Sequence, residues 1–263
     1  MARAESGLKG WTLITGASEG LGLAFARIAA AEGRDLILAA RQAQKMERLA
    51  DELRARHKIA VEVIATDLAD SEQVELLWRR ASTRRRIDIL VNNAGLGAHQ
   101  AFANPDFTRE ESSIRVNVLA LTILMKRAVP HMQAAGGGRI LNLGSVAGFV
   151  PGPGMAVYHA TKAYVLSLGE GVAEELRGTN VTVTTLCPGA TETRFAAGAG
   201  MEKKGPFAKG GIPNAESVAK VGWQALQAGK VLSVPGFGNK FNTFAPRFMP
   251  RGMMARMVRS VLK

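Results

Sequence analysis

The sequence predicts an α/β fold in which a doubly wound, mostly parallel sheet of seven strands carries helices on both faces. Short apolar, β-rich runs alternate with longer amphipathic runs, which is the pattern of βαβ units. Several of the short runs are apolar on both faces, as expected where helices cover both sides of a sheet. The chain has 263 residues, of which 47% are hydrophobic, so it can bury a full core. We expect one domain spanning residues 1–263.

Seven runs are the candidate strands, because each is short, apolar and rich in β-forming residues. They are WTLIT at 11–15, DLILAA at 35–40, IAVEVIA at 59–65, IDILVN at 87–92, RILNLG at 139–144, VTVTTLC at 181–187 and VLSV at 231–234. The longer runs between them are expected to supply the helices.

Residues 189–215 interrupt the alternation. This stretch is rich in Gly, Ala and Lys, has weak periodicity and follows the carboxyl end of a predicted strand, where ligands bind in such sheets. We expect a mobile loop that acts as a lid over the ligand crevice, with disordered filler as the alternative.

Residues 240–263 are expected to form a basic amphipathic tail. Beyond Pro250, pairs of apolar residues recur every four positions, as in one helical stripe: Met253, Met254, Met257, Val258, Val261 and Leu262. We expect the stripe to pack on its own domain or on a sister subunit. The alternative is a helix that contacts anionic lipid or an acidic acyl carrier.

The net charge of +12 is concentrated near the C-terminus. Residues 217–263 hold eight Lys or Arg and no acid, which leaves +4 for residues 1–216. This distribution argues against a nucleic-acid surface spread over the domain, and the chain has no recognised nucleic-acid motif or aromatic stacking platform. No apolar run approaches the ~18 residues of a membrane span, and the N-terminus has no apolar signal region, so we expect a cytoplasmic protein.

The chain has one cysteine, Cys187, which cannot form an internal disulfide. It has no neighbouring His or Cys, so no metal site is expected there. We expect it to be a small buried residue at the end of a strand.

A glycine-rich turn follows the first strand. The turn TGASEGLG places glycines at 16, 20 and 22 before a helical run. Such a turn lets backbone N–H groups and a helix N-terminus approach a pyrophosphate. The spacing differs from G-x-G-x-x-G, so a simple tight turn remains the alternative.

The end of the second strand indicates which dinucleotide would bind. There, an acid would bind the ribose 2′-OH of NAD, whereas an arginine suits the 2′-phosphate of NADP. The residue is Arg41. The nearest acid, Asp35, lies at the other end of the strand, about 16 Å away at the usual rise per residue. The sequence therefore predicts NADP(H) over NAD(H).

The stretch YHATK at 158–162 places a phenol and an ammonium four residues apart on a predicted helix. Side chains at i and i+4 lie on one face, so Tyr158 and Lys162 could share a ligand. A partly exposed tyrosine above a solvated lysine is the alternative for this pair alone.

These motifs together resemble those of the classical short-chain dehydrogenase/reductase family. TGASEGLG, NNAG at 92–95, Asn117, Ser145 and YHATK occur in the order of that family, and the resemblance runs from about residue 10 to residue 195. It implies a Rossmann-type fold and an oxidoreductase. Residues 196–263 carry no matching motif.

The resemblance also implies roles for individual residues. Ser145 would bind the substrate carbonyl, Tyr158 would supply the proton, Lys162 would bind the nicotinamide ribose and Asn117 would support a water relay. The implied cofactor contacts are Gly16, Ser18, Gly20, Leu21 and Gly22 for adenosine and pyrophosphate, Asp67 and Leu68 for adenine, Asn93, Ala94 and Gly95 near the ribose, and Pro188, Gly189, Thr191 and Thr193 for the nicotinamide and its phosphates. Family members usually pair through the helices that contain Asn117 and Tyr158, which implies a homodimer or homotetramer.

Electrostatics favours Tyr158 as an acid/base group. A unit charge at ~4 Å is worth ~4 kcal/mol near a protein surface, against ~1.4 kcal/mol per pKa unit, so Lys162 is expected to lower the phenol pKa by roughly three units from ~10. This change would bring the phenol near working pH, where acid/base catalysis is most effective. Ser145 would add a neutral donor at the developing oxyanion.

The sequence therefore predicts an NADP(H)-dependent reductase of carbonyls, or dehydrogenase of secondary alcohols, acting on a small molecule. Residues 146–155 together with Phe195, Met201 and Phe207 suggest a mainly apolar pocket, and hence an aliphatic, acyl or ring ketone. The alternative is an NADP(H)-binding sensor or scaffold without turnover. An extended-family epimerase or dehydratase shares the YxxxK logic, but 263 residues leave little room for its larger substrate domain.

Overall fold

A parallel seven-stranded sheet forms the centre of the protein. The computed structural model describes residues 10–202, 205–207 and 211–262. The strand order is β3-β2-β1-β4-β5-β6-β7, and every neighbouring pair is parallel. The strands are β1 Trp11–Thr15, β2 Leu36–Ala40, β3 Val61–Ala65, β4 Ile87–Asn92, β5 Gly138–Leu143, β6 Val181–Leu186 and β7 Leu232–Ser233. All seven predicted strands are present, and their ends agree within two residues.

Helices cover both faces of this sheet, which confirms the predicted doubly wound, Rossmann-type class. They are α1 Gly20–Ala31, α2 Ala43–His57, α3 Ser71–Ser82, α4 Thr108–Ile114, α5 Leu121–Ala134, α6 Ala156–Glu175, α7 Phe195–Ala199, α8 Ala215–Gln227, α9 Phe237–Phe244 and α10 Arg251–Leu262. A π-helical segment, Arg115–Ala120, joins α4 to α5. None of the helices in the described ranges combines the length and apolar character needed to cross a bilayer.

Two hydrophobic cores lie on opposite faces of the sheet. One contains Phe25 of α1 and Trp223 of α8, and the other contains Trp78 of α3 and Val165 of α6. Neighbouring residues of a strand enter different cores because side chains alternate across a sheet. This arrangement explains why the central strands carry apolar residues on both faces.

The direction in which strands are added to the sheet reverses between β1 and β4. The chain first adds β2 and β3 on one side of β1, and then crosses over and adds β4 to β7 on the other side. β1 is bonded to β2 on one side and to β4 on the other. In open α/β sheets, ligands bind at the carboxyl ends of the strands beside such a switch point. The loops after β1, β4, β5 and β6 therefore surround the expected crevice.

The predicted lid is partly helical, so the expectation of an irregular loop was wrong for part of it. Residues 189–215 contain α7 and a short 3₁₀ turn, Gly205–Phe207, and a bridge between Glu192 and Asn214 joins their two ends. α7 forms because Ala196 and Ala199 are buried against neighbouring apolar side chains. The Gly- and Ala-rich composition of this stretch does not indicate these contacts. Residues 203, 204 and 208–210 of the predicted lid lie outside the described ranges.

The tail forms two helices. α10 matches the predicted amphipathic helix, whereas α9 was not anticipated. The apolar pairs of α10 do not act as one stripe, since Met254 and Leu262 are buried while Met257 and Val261 are exposed. The expectation that the stripe packs on its own domain is therefore right for one side of the helix only. Lys263 of the predicted tail lies outside the described residues.

Candidate active site at the carboxyl edge of the sheet

The glycine turn after β1 leads directly into α1. Gly16 and Gly20 have φ angles of +64° and +57°, a conformation that favours glycine. Glu19 precedes the helix without capping it through its side chain, and the first turn of α1 contains no acid. The backbone N–H groups of that turn are therefore available to an anionic ligand.

Asn93, after β4, holds this glycine turn in place. Its Nδ2 atom donates to the carbonyl oxygens of Thr15 and Gly16, at 2.9 and 3.1 Å. The Thr15 hydroxyl in turn accepts from the N–H groups of Asn93 and Ala94, at 3.0 and 3.1 Å. Because both amide protons of Asn93 are used inside the protein, its side chain could contact the ribose only through its Oδ1 atom, and the backbone of residues 93–95 would supply any N–H donor. Sequence reasoning did not anticipate this bracing role.

The residues predicted to lie near adenosine follow β2 and β3. Arg41 comes directly after β2, is exposed and forms no ion pair within the described part of the chain. The carboxylate of Asp67 accepts from the N–H of Ala69 at 3.0 Å, which stabilises the turn after β3. The Leu68 side chain is buried in one of the hydrophobic cores, so its implied contact with adenine would be made by the backbone.

The segment after β6 lies close to the glycine turn. A Cβ atom on Gly20 would lie 3.1 Å from Cγ2 of Thr193. Pro188 accepts a hydrogen bond from the N–H of Val146 at 3.0 Å, and the buried Thr191 hydroxyl donates to Gly189 at 3.1 Å. The structure thus brings the predicted pyrophosphate and nicotinamide segments together. Ser18, Leu21 and Gly22 lie within the glycine turn or the first turn of α1.

Tyr158 and Lys162 occupy the first two turns of α6, on the shared face that their spacing predicts. The Nζ atom of Lys162 lies 5.9 Å from the centre of the Tyr158 ring and donates to the Leu143 carbonyl at 2.7 Å. The Ser145 hydroxyl, which follows β5, lies close enough to the Tyr158 phenol to affect its pKa. The Ser145 Oγ atom also accepts from the N–H of Ala147 at 3.1 Å. These contacts place a phenol, a hydroxyl and an ammonium in one cluster.

Burial dominates the titration of this cluster. It raises the pKa of Tyr158 to about 12, although the Ser145 hydroxyl acts in the opposite direction. Burial also lowers the pKa of Lys162 to about 8. The expectation that Lys162 lowers the Tyr158 pKa is therefore wrong, because the loss of hydration dominates and the ammonium is not among the groups that shift this pKa.

Asn117 lies in the π-helical segment and connects two parts of the site. Its Oδ1 atom accepts from the N–H of Leu96 at 2.8 Å, and its Nδ2 atom donates to the Leu96 carbonyl at 2.8 Å and to the Thr161 hydroxyl at 2.9 Å. Thr161 donates in turn to the carbonyl of Tyr158 at 2.8 Å. The Asn117 side chain therefore fixes the loop after β4 against α6, so a water relay would have to use other atoms. π-helical segments often occur at functional sites.

Gly95 and Gly97 allow the backbone of the loop after β4 to lie close to the side chains of the Tyr158 cluster and to Phe195. A Cβ atom on Gly95 would lie 3.3 Å from Lys162 Nζ and 3.4 Å from Asn117 Oδ1. A Cβ atom on Gly97 would lie 2.8 Å from Phe195 Cζ and 3.2 Å from the Tyr158 ring. Neither glycine has a positive φ angle, so proximity alone restricts these positions.

Apolar side chains close the outer side of this cluster. The Phe195 ring lies 5.1 Å from the Tyr158 ring, and both pack against a small buried group formed by Met155, Ala196, Ala199, Met201 and Leu262. Phe207 and Val258 pack against the same group. The predicted lid residues are thus brought to the site, together with two residues of α10 that no sequence motif indicated.

Two hydrogen bonds to backbone carbonyls of α7 attach the lid to its surroundings. The N–H of His99 donates to Ala199 at 2.9 Å, and the Arg109 guanidinium donates to the Gly198 carbonyl. His99 lies in the loop after β4 and Arg109 lies on α4, so two separate elements hold α7 over the site.

Cys187 lies directly after β6 and is fully buried. Burial raises the pKa of its thiol to about 12. The prediction of a small buried residue at a strand end is confirmed.

The site has the features that a nicotinamide dinucleotide requires. The first turn of α1 offers N–H groups for a pyrophosphate, and Arg41 stands beside it without a carboxylate partner. The segment after β6 faces this turn from the other side of the crevice. The Tyr158 cluster lies farther along the carboxyl edge of the sheet, after β5. The residues therefore fit the cofactor, which would supply hydride chemistry.

Comparisons with known proteins agree with this architecture. Residues 10–204 match the family model described as short chain dehydrogenase. Sulfoacetaldehyde reductase 2 from Chromohalobacter salexigens is 38% identical over 186 residues, which cover 70% of this chain and 73% of the relative.

Two solved structures show the same fold. A short-chain dehydrogenase from Sphingobium yanoikuyae in complex with NADPH is 31% identical, with a TM-score of 0.81 over 93% of this chain and 95% of the other. A short chain dehydrogenase/reductase from Burkholderia phymatum in complex with NAD is 25% identical, with a TM-score of 0.83 over 97% of both chains. With the sheet, the glycine turn and the Tyr158 cluster in place, the chain belongs to the classical short-chain dehydrogenase/reductase family of oxidoreductases.

Proposed function

We propose that the protein transfers a hydride between NADP(H) and a carbonyl compound or secondary alcohol, with Tyr158 as the proton donor and acceptor. The observation that carries this proposal is the cluster of Tyr158, Ser145 and Lys162 at the carboxyl edge of the sheet, beside the switch point. The bound cofactor would supply or accept the hydride, and the residues of this chain would orient the substrate and move the proton.

The hydrogen-bond pattern gives each member of the cluster a distinct role. The Ser145 oxygen accepts from Ala147, so its hydroxyl proton would turn from Tyr158 to the substrate carbonyl oxygen when the substrate binds. Tyr158, with a pKa of about 12, keeps its proton at neutral pH and can deliver it to that oxygen as the carbonyl is reduced. Lys162 uses one of its donors on Leu143 and retains two for the ribose hydroxyls. Asn117 positions Tyr158 through Thr161.

The two tyrosines of the chain allow a matched test of this mechanism. Tyr164 lies on the same helix, but its hydroxyl contacts Thr122 at the surface, 2.9 Å away. We expect Tyr158→Phe to lower kcat about 10²- to 10⁴-fold in NADPH oxidation against a panel of ketones, aldehydes and 3-oxoacyl thioesters. Tyr164→Phe should retain wild-type kcat. Cofactor affinity, measured by NADPH fluorescence, should be similar in all three proteins.

Near wild-type turnover by Tyr158→Phe would show that another group supplies the proton. Tight NADPH binding without turnover of any panel member would favour the alternative, a cofactor-binding sensor or scaffold.

The position of Arg41 supports a preference for NADP(H). An exposed guanidinium without an ion-pair partner, directly after β2, can bind the 2′-phosphate that NAD lacks. We expect Arg41→Ala to weaken NADPH binding about 10- to 100-fold and to leave NADH binding nearly unchanged. Arg56→Ala, an exposed arginine of α2 away from the crevice, is the control. Tighter binding of NADH than NADPH by the wild type would contradict the preference.

The lining of the lid supports an apolar substrate. Phe195, Met155 and Met201 lie in one buried apolar group against which Tyr158 packs. We propose an aliphatic, acyl or ring ketone as the substrate class.

A homodimer is proposed through α4, the π-helical segment and α6. These elements leave Ile114, Leu119 and Tyr164 between 38 and 41% exposed, although each is large and apolar. Their arrangement supports pairing through the helices that contain Asn117 and Tyr158.

A further inference from the structure

Exposed apolar side chains are concentrated near the C-terminus. We call α9, the 3₁₀ turn Ala245–Phe248 and α10 the C-terminal surface. Seven of the 15 large apolar side chains exposed in the described residues lie here, and they are between 47 and 87% exposed: Phe237, Phe241, Phe244, Phe248, Met253, Met257 and Val261. Single exposed apolar residues are common on proteins, whereas a cluster of this kind marks an interaction site.

The spacing places these side chains on defined helix faces. On α9, Phe237, Phe241 and Phe244 are separated by four and three residues, so they point in one direction. Phe248 continues the group, since its ring lies 5.3 Å from that of Phe244. Asn239, on another side of α9, lies against Gly189 of the site.

α10 has two separate apolar faces. Met254 and Leu262 are buried and Val258 is half-buried. Leu262 and Val258 pack with the small buried group that contains Met155 and Met201. Met253, Met257 and Val261 lie four residues apart on an adjacent face that remains exposed. The helix is therefore already packed on its own protein, and the exposed face is an additional apolar surface.

Cations accompany both exposed faces. Lys240, Arg247, Arg256 and Arg259 belong to the C-terminal surface, and none of them forms an ion pair within the described residues. The Arg247 guanidinium lies 5.7 Å from the centre of the Phe244 ring. The sequence contains no acid between residues 217 and 263 that could neutralise them.

We propose that the C-terminal surface docks the protein on an anionic lipid bilayer. Exposed phenylalanines with Lys and Arg beside them on short helices are characteristic of segments that lie in the membrane interface. Apolar side chains would enter the acyl boundary while the cations contact lipid phosphates. This inference does not depend on the proposed reaction.

A second copy of the chain fits this surface less well than anionic lipid. In a two-fold interface the same surface faces itself, so the four cations of one copy would meet the same four of the other without an acid between them. An anionic bilayer offers the opposite charge over an extended area.

Co-sedimentation with vesicles tests the proposal directly. The wild type should sediment with phosphatidylcholine vesicles that contain phosphatidylglycerol, and at least about tenfold less with phosphatidylcholine alone or at high salt. Phe237→Ser/Phe241→Ser should weaken binding through lost apolar contact. Arg256→Glu/Arg259→Glu should weaken it through charge reversal and reduce the salt dependence.

Matched variants on other surfaces are the controls. Leu76→Ser/Phe102→Ser removes two exposed apolar side chains elsewhere, and Arg56→Glu/Arg79→Glu makes the same change in net charge on α2 and α3. Both should bind vesicles like the wild type. Unchanged thermal unfolding and NADPH binding would verify that every variant is folded.

Three results would overturn the proposal. The first is a wild type that stays in the supernatant with anionic vesicles. The second is equal loss of binding in the variants of the C-terminal surface and in their controls. The third is a wild type that does not bind vesicles and forms an oligomer, where Phe237→Ser/Phe241→Ser dissociates that oligomer in analytical ultracentrifugation. This result would assign the surface to a subunit interface.

Discussion

The ammonium of Lys162 lies inside the protein, only 5% exposed, and donates one hydrogen bond to Leu143. Burial lowers its pKa from 10.5 to about 8. Below about pH 8 both the folded and the unfolded chain hold the proton, and the folded chain bears the cost of burying the charge. As the pH rises from about 8 to about 10.5, the folded chain releases the proton first and this cost disappears. The buried charge of Lys162 therefore lowers the stability of the folded protein at neutral pH, although the proposed mechanism uses that charge.

Lys162→Met should reveal this cost as a pH-dependent difference in stability. We expect the stability of the variant relative to the wild type to fall by about 2 kcal/mol between pH 7 and pH 10, since only the wild type gains stability as Lys162 loses its proton. Urea unfolding at both pH values measures the difference. Lys126→Met, at an exposed position of α5, should show no such pH dependence, and a constant difference for Lys162→Met would contradict the assignment.

At the residue scale, the sequence was most informative where chemistry requires a particular side chain at a particular spacing. The face shared by Tyr158 and Lys162 follows from a separation of four residues on a helix. The roles of Leu96 and Thr161 could not be predicted, because Leu96 contributes only its backbone and Thr161 acts through Asn117. The pKa of Tyr158 was predicted in the wrong direction, because burial is a property of the folded chain.

At the scale of elements, α7 depends on its neighbours for its position. It has five residues, so it cannot be stable alone. Arg109 of α4 bonds to the Gly198 carbonyl, while the N–H of His99 bonds to Ala199. Loss of the Arg109 contact should free one end of the lid and leave the cofactor side of the crevice intact.

We therefore expect Arg109→Gln to raise KM for the carbonyl substrate about three- to tenfold and to leave the Kd for NADPH unchanged. Steady-state kinetics and cofactor titration separate the two quantities. Arg115→Gln is the matched control, because Arg115 is an exposed arginine of the adjacent π-helical segment that pairs with Glu111 and not with the lid. An unchanged KM in Arg109→Gln would mean that this contact does not hold the lid during turnover.

Strands were predictable from the sequence because burial on both sides of the sheet requires short runs with apolar residues on both faces. α7 and α9 were missed for a physical reason. α7 is mostly Ala and Gly and gains its order from contacts with Met155 and Met201. Met155 is distant from α7 in the sequence, and Met201 lies beyond the end of the helix. α9 exposes its phenylalanines, so it lacks the buried face on which periodicity arguments rely.

At the scale of the whole molecule, one sheet supports both hydrophobic cores. Phe25 and Trp223 pack on one face, and Trp78 and Val165 pack on the other face of the same strands. This sharing supports our proposal that the chain forms a single domain. The net charge of +12 could be counted from the sequence, but the exposure of the apolar residues beside the C-terminal cations could not.

The proposed dimer provides a prediction at this scale. We expect Leu119→Glu to shift the protein towards a monomer, because a glutamate without a cationic partner would be desolvated in the proposed interface. Sedimentation velocity over a range of protein concentrations measures the shift. Leu76→Glu, at a more exposed leucine on α3, should leave the molar mass unchanged. The same mass for Leu119→Glu and wild type would place the subunit contact elsewhere.

The burial of Cys187 makes the protein ready for thiol-specific labelling. It is the only cysteine, and its buried thiol with a pKa of about 12 is protected from alkylating reagents at neutral pH. A cysteine introduced at the exposed Ala197 of α7 would then be the reactive thiol of the folded protein. A fluorophore or spin label attached there could follow the movement of α7 as cofactor and substrate are added, without first removing a native cysteine.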